Sequence, residues 1–333
     1  MTRAARRAAR QVAVAVSVLI VAVTLGAWFA TRNNTAMAPT RFVPRDDLSY
    51  VGASTSGTGP AYDAFLRASG RSRLDIYNRW TTPNGSFDWV LQEFKRRPVI
   101  GMITWNLPGD GTQASIARGQ WDRNIRARAA EAQKYGRPLF IRLNWEPNGH
   151  WYPWSSRDET GTPRRGNAPS DYVAAWRHVV GRFRDVDNVT FVWCPTLVDP
   201  RDRGRMPSPW AWWPGDDYVG WIGVDAYPSA AGWIAMRGGA EGLDAFDTFA
   251  TQHHKPLMIA EWALSSPGTG DSPWWMQTFL IWIRSHHSVK AQVYFDYDNR
   301  ATGRSDHRLT RFPRAAARYR ALVGEACVAP PPS

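Results

Sequence analysis

From about residue 49 onwards, short apolar runs rich in β-branched residues alternate with stretches whose apolar residues recur at helical spacing. The runs read YVGAST, LDIYNRW (74–80), PVIGMITW (98–105), PLFIRLNW (138–145), VTFVWCP (189–195), VGWIGVDAY (219–227), PLMIAEWA (256–263) and VKAQVYFDY (289–297). Helical spacing fills 87–94, 121–135, 172–183, 243–249, 274–283 and 315–323, with Ser170 and Ser272 expected as caps of two helices. Strands that are apolar on both faces must be covered on both, which is the condition of a parallel sheet wrapped by helices. Eight such units, with no break in composition between the fourth and fifth, predict an α/β fold: a closed parallel (β/α)8 TIM barrel forming a single domain. The rival is an open doubly wound sheet. Against it, the first strand-to-helix turn, STSGTGPAY, lacks the G-x-G-x-x-G fingerprint, and no Walker-type glycine loop occurs.

The ends of the chain read differently. MTRAARRAARQ precedes an apolar run over 12–30 and a polar stretch ending in the small-x-small triplet Ala36-Met37-Ala38. Residues 1–38 are therefore expected to be a signal peptide or an N-terminal membrane anchor with a short linker, residues 39–328 the barrel, and residues 329–333 a Pro-rich tail. The run is 19 residues long; a cleaved core is ~7–15 and a membrane span ~20, so both fates stay open. Either fate puts the barrel outside the cytoplasm, secreted or tethered to the outer face of the membrane. The formal charge of +12 would suit a nucleic-acid binder, but five arginines before residue 39 leave +7 for the rest. The remaining cations are scattered among acids, which predicts no nucleic-acid partner, and membrane contact only through an uncleaved N-terminus. Cys194 and Cys327 are the two cysteines and could pair in an oxidising compartment or stay free. The seven histidines form no metal-ligand spacing; neither metal nor cofactor is expected, and a monomer is.

In a barrel the functional groups lie at the C-terminal ends of the strands. The fourth run ends in RLNWEPNG and the seventh in MIAEWALS, and Glu146 and Glu261 are the only glutamates set so close to the end of an apolar run. A buried carboxylate is costly unless it is paired or used. Strand alternation puts Arg142, Asn144 and Glu146 on one face, and in the sixth run it puts Asp225 and Tyr227 together. Two carboxylates facing across a barrel mouth meet the requirement of glycoside hydrolysis; a separation of ~5–5.5 Å gives retention and a wider one inversion. With 19 tryptophans in the chain, several of them near Glu146, sugar-ring stacking and desolvation of the acid are both expected.

RLNWEPNGHWYPW (142–154) resembles the Arg-x-x-His-Glu-x-Asn-Gly-x-Trp-x-x-Trp signature of glycoside hydrolase family 26, best known for endo-β-1,4-mannanases. WWPGDDYVGWIGVDAY (212–227) is similar to that family's approach to strand six, and IAEWA to its strand seven; the likeness runs over roughly residues 48–325. It implies a retaining (β/α)8 glycosidase in which Glu146 is the acid/base and Glu261 the nucleophile. It further implies that Asp225 and Tyr227 support the nucleophile and line the site, that Arg142 stands behind the acid, and that Trp105, Trp151 and Trp154 are aromatic contacts for the sugar. Arg142, Asn144, Trp105, Trp151, Trp154, Asp225 and Tyr227 form the expected substrate-binding set.

The sequence departs from the signature at Trp145, where the family has a sugar-binding histidine, and at Asn106, where many mannanases have another. By alternation from Glu146, Trp145 is expected to point away from the barrel interior. The implied partner is a β-linked polysaccharide, β-1,4-mannan first. Mixed-linkage β-glucan, β-1,3-xylan and a bacterial exopolysaccharide are alternatives, as are transglycosylation in place of hydrolysis and a non-catalytic sugar-binding role.

Overall fold

The computed structural model describes residues 38–323 apart from 46–47, 58, 109–110, 200–201, 203 and 230. Of the expected leader over 1–38 only Ala38 is described, and the Pro-rich tail and Cys327 lie outside the described residues. Among the described residues no helix is long and apolar enough to cross a membrane. Eight strands close on themselves in sequence order: β1 (Tyr50–Thr55), β2 (Ile76–Thr81), β3 (Ile100–Trp105), β4 (Leu139–Leu143), β5 (Val189–Trp193), β6 (Trp221–Asp225), β7 (Leu257–Trp262) and β8 (Val289–Asp296). Every pairing is parallel, including β1 with β8, so the barrel has no free edge.

All six expected helices form, within a few residues at each end: Asp88–Lys95, Asp122–Tyr135, Pro169–Arg182, Leu243–Gln252, Pro273–Ser285 and Pro313–Val323. The spacing rule passed over Gly59–Ser69, Gln113–Ala117 and Gly232–Arg237. The last two are five and six residues long, too short to express a helical period. Ser272 caps its helix, accepting from the Trp275 N–H at 3.2 Å. Ser170 does not cap. Its helix begins one residue earlier, at Pro169, where the missing N–H costs nothing, and Asp171 reaches back to accept from the Ala168 N–H at 2.9 Å.

Two apolar layers result. Inside the barrel, Tyr50, Ile76, Ile100, Met102, Phe140, Val192, Trp221, Met258, Ala291 and Val293 fill the core, and Phe42 and Leu48, from the segment before β1, pack against it. Outside, the alternate strand positions meet the helices in a larger cluster that includes Ile103, Trp105, Ile141, Trp193, Ile259, Trp262 and Tyr294. Much of the tryptophan content belongs to these layers rather than to a ligand: Trp105, Trp176, Trp193, Trp212, Trp221 and Trp262 are all fully buried. Most of these indoles satisfy their N–H locally, as a buried ring must; Trp176 donates to Tyr218 O, Trp193 to Trp212 O and Trp262 to Gln292 Oε1.

Trp105 corrects an expectation. Met102 and Thr104 point into the barrel, so alternation turns Trp105 outward, between Phe87 at 5.2 Å and Phe183 at 6.4 Å, away from any sugar. Truncating it opens a cavity in the strand–helix layer. Trp105→Ala should lower unfolding stability by about 3–5 kcal/mol in urea titration; a loss below about 1 kcal/mol with weakened polysaccharide binding would return Trp105 to the substrate.

Candidate active site

The chain leaves β4 at Leu143 and immediately takes an unusual path. Asn144 has φ 42° and Glu146 φ 50°, left-handed values that residues with a side chain seldom adopt. Neighbouring strands hold this conformation: the Asn144 N–H donates to Trp105 O at 2.9 Å and the Glu146 N–H to Cys194 O at 2.7 Å. The Asn144 amide accepts from the Leu107 N–H at 2.6 Å and donates to Leu107 O and to Gln113 Oε1, pinning the loop after β3. Asn144 is thus a buried loop anchor rather than a substrate contact.

The break in the strand also overrides alternation at Trp145. Instead of pointing away, its indole lines the same cleft as Glu146, with the Arg142 guanidinium 5.6 Å from its ring. Past the acid, Asn148 and Thr196 exchange two hydrogen bonds, Nδ2 to O at 2.9 Å and N to Oδ1 at 3.0 Å, which tie the Glu146 turn to the end of β5. Gly149 lets the chain fold back. A Cβ there would stand 2.6 Å from the Trp151 ring, and that ring's Nε1 donates to Glu146 Oε2 at 2.7 Å. Trp151, expected as a stacking face, is therefore first a hydrogen-bond donor to the acid. Trp154 lies beneath the cleft and outside its lining, stacked on Tyr152 at 4.3 Å and 11°, its Nε1 bonded to Trp145 O.

Glu261 reaches the same space by a different device. The register between β6 and β7 shifts after Val224, so Asp225 pairs with Glu261 rather than Ala260 and the glutamate turns toward the mouth. Its oxygens both accept: Oε1 from the Tyr227 hydroxyl at 2.6 Å and Oε2 from Arg142 Nη1 at 2.9 Å. Arg142 bonds Asp225 Oδ2 through its other terminal nitrogen, and the Cys194 thiol donates to Asp225 Oδ1 at 3.2 Å. Arg142 and Asp225 are completely buried and do not line the cleft; they stand behind the carboxylates and orient them. Cys194 is a free, buried thiol.

Three carboxylates around a single guanidinium cannot all ionise without cost. Burial, then the charge of Glu261, pushes Glu146 up to about 7 against the pull of Arg142 and of the Trp151 hydrogen bond. Burial likewise pushes the Tyr227 hydroxyl upward, which keeps it a donor to Glu261. Glu146 is thus placed to hold a proton while Glu261 accepts from both sides. Surroundings opposed in this way suit a proton donor beside a nucleophile.

The cleft is about 670 Å3 and lies at the C-terminal ends of β2, β4, β6, β7 and β8. Besides Trp145, Glu146, Trp151, Tyr227 and Glu261 it is lined by Trp80, Tyr152, Pro228, Ser265, Phe295, Tyr297, Asn299, Arg304, Ser305 and His307. Sequence reading missed these. The signal for Trp80 and Tyr297 is the final aromatic residue of the runs LDIYNRW and VKAQVYFDY, at the same strand ends that carry the glutamates. Nothing in the sequence brings the loop residues Asn299, Arg304 and His307 to the cleft; tertiary folding does.

Comparison with known proteins agrees with this geometry. Residues 116–237 match the model of glycosyl hydrolase family 26, a span holding the acid motif and the approach to strand six. Over 283 residues the chain is 30% identical to Endoglucanase H of Acetivibrio thermocellus, covering 80% of this chain and 30% of that protein. It is 29% identical over 219 residues to the β-1,3-xylanase TXYA of a Vibrio species, covering 65% of this chain and 41% of that one. The chain spans under half the length of these relatives. Among solved structures, the catalytic domain of the Bacillus sp. JAMB-750 family 26 endo-β-1,4-mannanase shares the fold, with a TM-score of 0.60 at 16% identity over 88% of this chain and 97% of that one. Residues 116–237, which contain Glu146 and its motif, thus carry the glycosyl hydrolase family 26 match, and the chain shares the fold of a family 26 enzyme along 88% of its length.

Proposed function

We propose that this protein is a retaining endo-β-glycosidase that hydrolyses a β-linked polysaccharide by double displacement. The observation that carries the reading is a single cleft holding two glutamates in opposite surroundings: Glu146 raised to about 7 by burial, and Glu261 accepting from Arg142 and Tyr227. Glu261 attacks the anomeric carbon while Glu146 gives its proton to the departing glycosidic oxygen, leaving a glycosyl ester on Glu261. Glu146, now a base, takes a proton from the water that attacks the same carbon and frees Glu261. Arg142 and Tyr227 fix both oxygens of the nucleophile, and the aromatic walls of Trp80, Trp151 and Tyr297 suit the apolar faces of sugar rings.

The motif resemblance favours β-1,4-mannan as the substrate. A second reading, a β-glucan or β-1,3-xylan, is favoured by Trp145 lining the cleft where mannanases carry histidine, and by relatives named as an endoglucanase and a β-1,3-xylanase. The arginine-flanked apolar run at 12–30 supports an extracellular or membrane-tethered location.

Reducing-sugar release from mannan, mixed-linkage glucan and β-1,3-xylan should appear on at least one polymer, and Glu146→Ala or Glu261→Ala should lower it by more than about 100-fold. Undiminished activity in Glu261→Ala would refute the mechanism. The pH profile has a defined sign. The first step needs Glu146 protonated, so kcat/KM should fall as pH rises through about 7. In Glu261→Gln the like charge is gone and the Glu146 midpoint, followed through the fluorescence of Trp151 bonded to it, should move to lower pH. A midpoint that stays put would mean that burial alone sets it.

A further inference from the structure

Beside Glu146 the cleft holds a hydroxyl whose hydrogen bonding is half used. Tyr152 lines the cavity together with Trp145, Glu146 and Trp151, and Trp145 Nε1 lies 2.9 Å from its OH. An indole N–H can only donate, so the Tyr152 oxygen is the acceptor in that bond and its own O–H proton is left to be given elsewhere. Among the described residues the hydroxyl has no acceptor within hydrogen-bond distance. Tyr152 is half-buried at the cleft wall, so an O–H with no acceptor in the protein is free to donate to an oxygen of a ligand in the cleft.

The ring that carries this hydroxyl has little freedom. Tyr152 stacks on Trp154 at 4.3 Å, Trp145 packs on Tyr152 at 4.9 Å and on Trp154 at 4.7 Å, and Trp154 Nε1 donates back to Trp145 O at 2.9 Å. The three rings brace one another in a closed cycle, over the Arg142 guanidinium on the Trp145 side. Trp151, which donates to Glu146, packs edge-on against Tyr152 at 6.4 Å. The hydroxyl is therefore preorganised beside the acid, and its direction is set by Trp145.

We propose that Tyr152 is a substrate-binding residue whose O–H donates to an oxygen of the sugar held against Glu146, and that Trp145 is the positioning residue that aims it. The inference rests on the reading of the cleft as a glycoside-cleaving site. It gives Trp145 a chemical role: the indole is no direct polar contact to the sugar but turns a neighbouring phenol into one. A fixed donor discriminates between sugars by whether an oxygen stands in front of it, and therefore by the configuration of the ring carbon that bears that oxygen.

The test uses the full chain with aryl β-glycosides of the gluco, manno and xylo series and their monodeoxy analogues. Tyr152→Phe keeps the ring and its stack and removes only the hydroxyl. It should lower kcat/KM on the parent glycoside by about 10- to 100-fold and on one monodeoxy analogue by less than about threefold, since that analogue lacks the oxygen Tyr152 meets. The falling limb of the pH profile should stay where it is in the wild-type protein, because the hydroxyl acts on the sugar and not on Glu146. Trp145→Phe should give a smaller loss with the same dependence on the analogue. No loss on the parent glycoside, an equal loss on every analogue, or a displaced pH limb would each overturn the inference while leaving the glycosidase reading intact. A wild-type protein that neither turns over nor binds any of these glycosides would overturn that reading, and this inference with it.

Discussion

The fully buried guanidinium of Arg142 is the interaction on which the rest of the site depends. It lies in the barrel interior on β4 and spans Asp225 on β6 and Glu261 on β7, so a single side chain ties three strands together beneath the cleft. An isolated cation there would be prohibitively desolvated, and two isolated carboxylates equally so; each is tolerable because the others are present. Arginine fits where lysine would not, because its planar fork offers separate donors to two acids at a fixed angle. The arrangement leaves a third carboxylate, Glu146, without a full share of positive charge, and it is Glu146 that burial pushes up to about 7. Glu146 and Glu261 sit in different surroundings because Arg142 bonds Glu261 and Asp225 and makes no hydrogen bond to Glu146 among the described residues.

The second constraint is a backbone that stops behaving as a strand. Left-handed values at Asn144 and Glu146 cost energy, and such strain persists only where surrounding structure over-determines it. Here Trp105 O, Leu107, Gln113, Cys194 O and Thr196 all hold the segment from neighbouring strands and loops. The conformational result is that two consecutive side chains, Trp145 and Glu146, both face the cleft, which no regular strand permits.

Aromatic residues serve two distinct ends. The indoles buried between strands and helices contribute area and shape, and those of Trp176, Trp193 and Trp262 close their N–H groups on backbone carbonyls or on Gln292. Those around the acid are hydrogen-bonding devices as much as stacking faces: Trp151 to Glu146, Trp145 to Tyr152, Trp154 to Trp145. Composition counts both kinds alike, and for that reason tryptophan content overstated the number of sugar platforms.

The sequence by itself determined the barrel, because eight apolar runs separated by helical spacing leave few ways to bury both faces of every strand. It also determined the catalytic candidates, since a glutamate at the end of an apolar strand is too costly to be incidental, and it joined Asp225 with Tyr227 and Arg142 with Glu146 at one barrel mouth. Only the tertiary structure decided which way individual rings face. Trp105 turned outward by alternation, whereas Trp145 turned inward because hydrogen bonds from other strands broke that alternation. Asn144 became a loop anchor, Trp154 a support, and the distant residues Asn299, Arg304 and His307 arrived at the cleft with the chain that follows β8. Periodicity is a local property and can be read along a chain; the hydrogen bonds that override it are made between segments far apart in sequence, and they exist only once the barrel has closed.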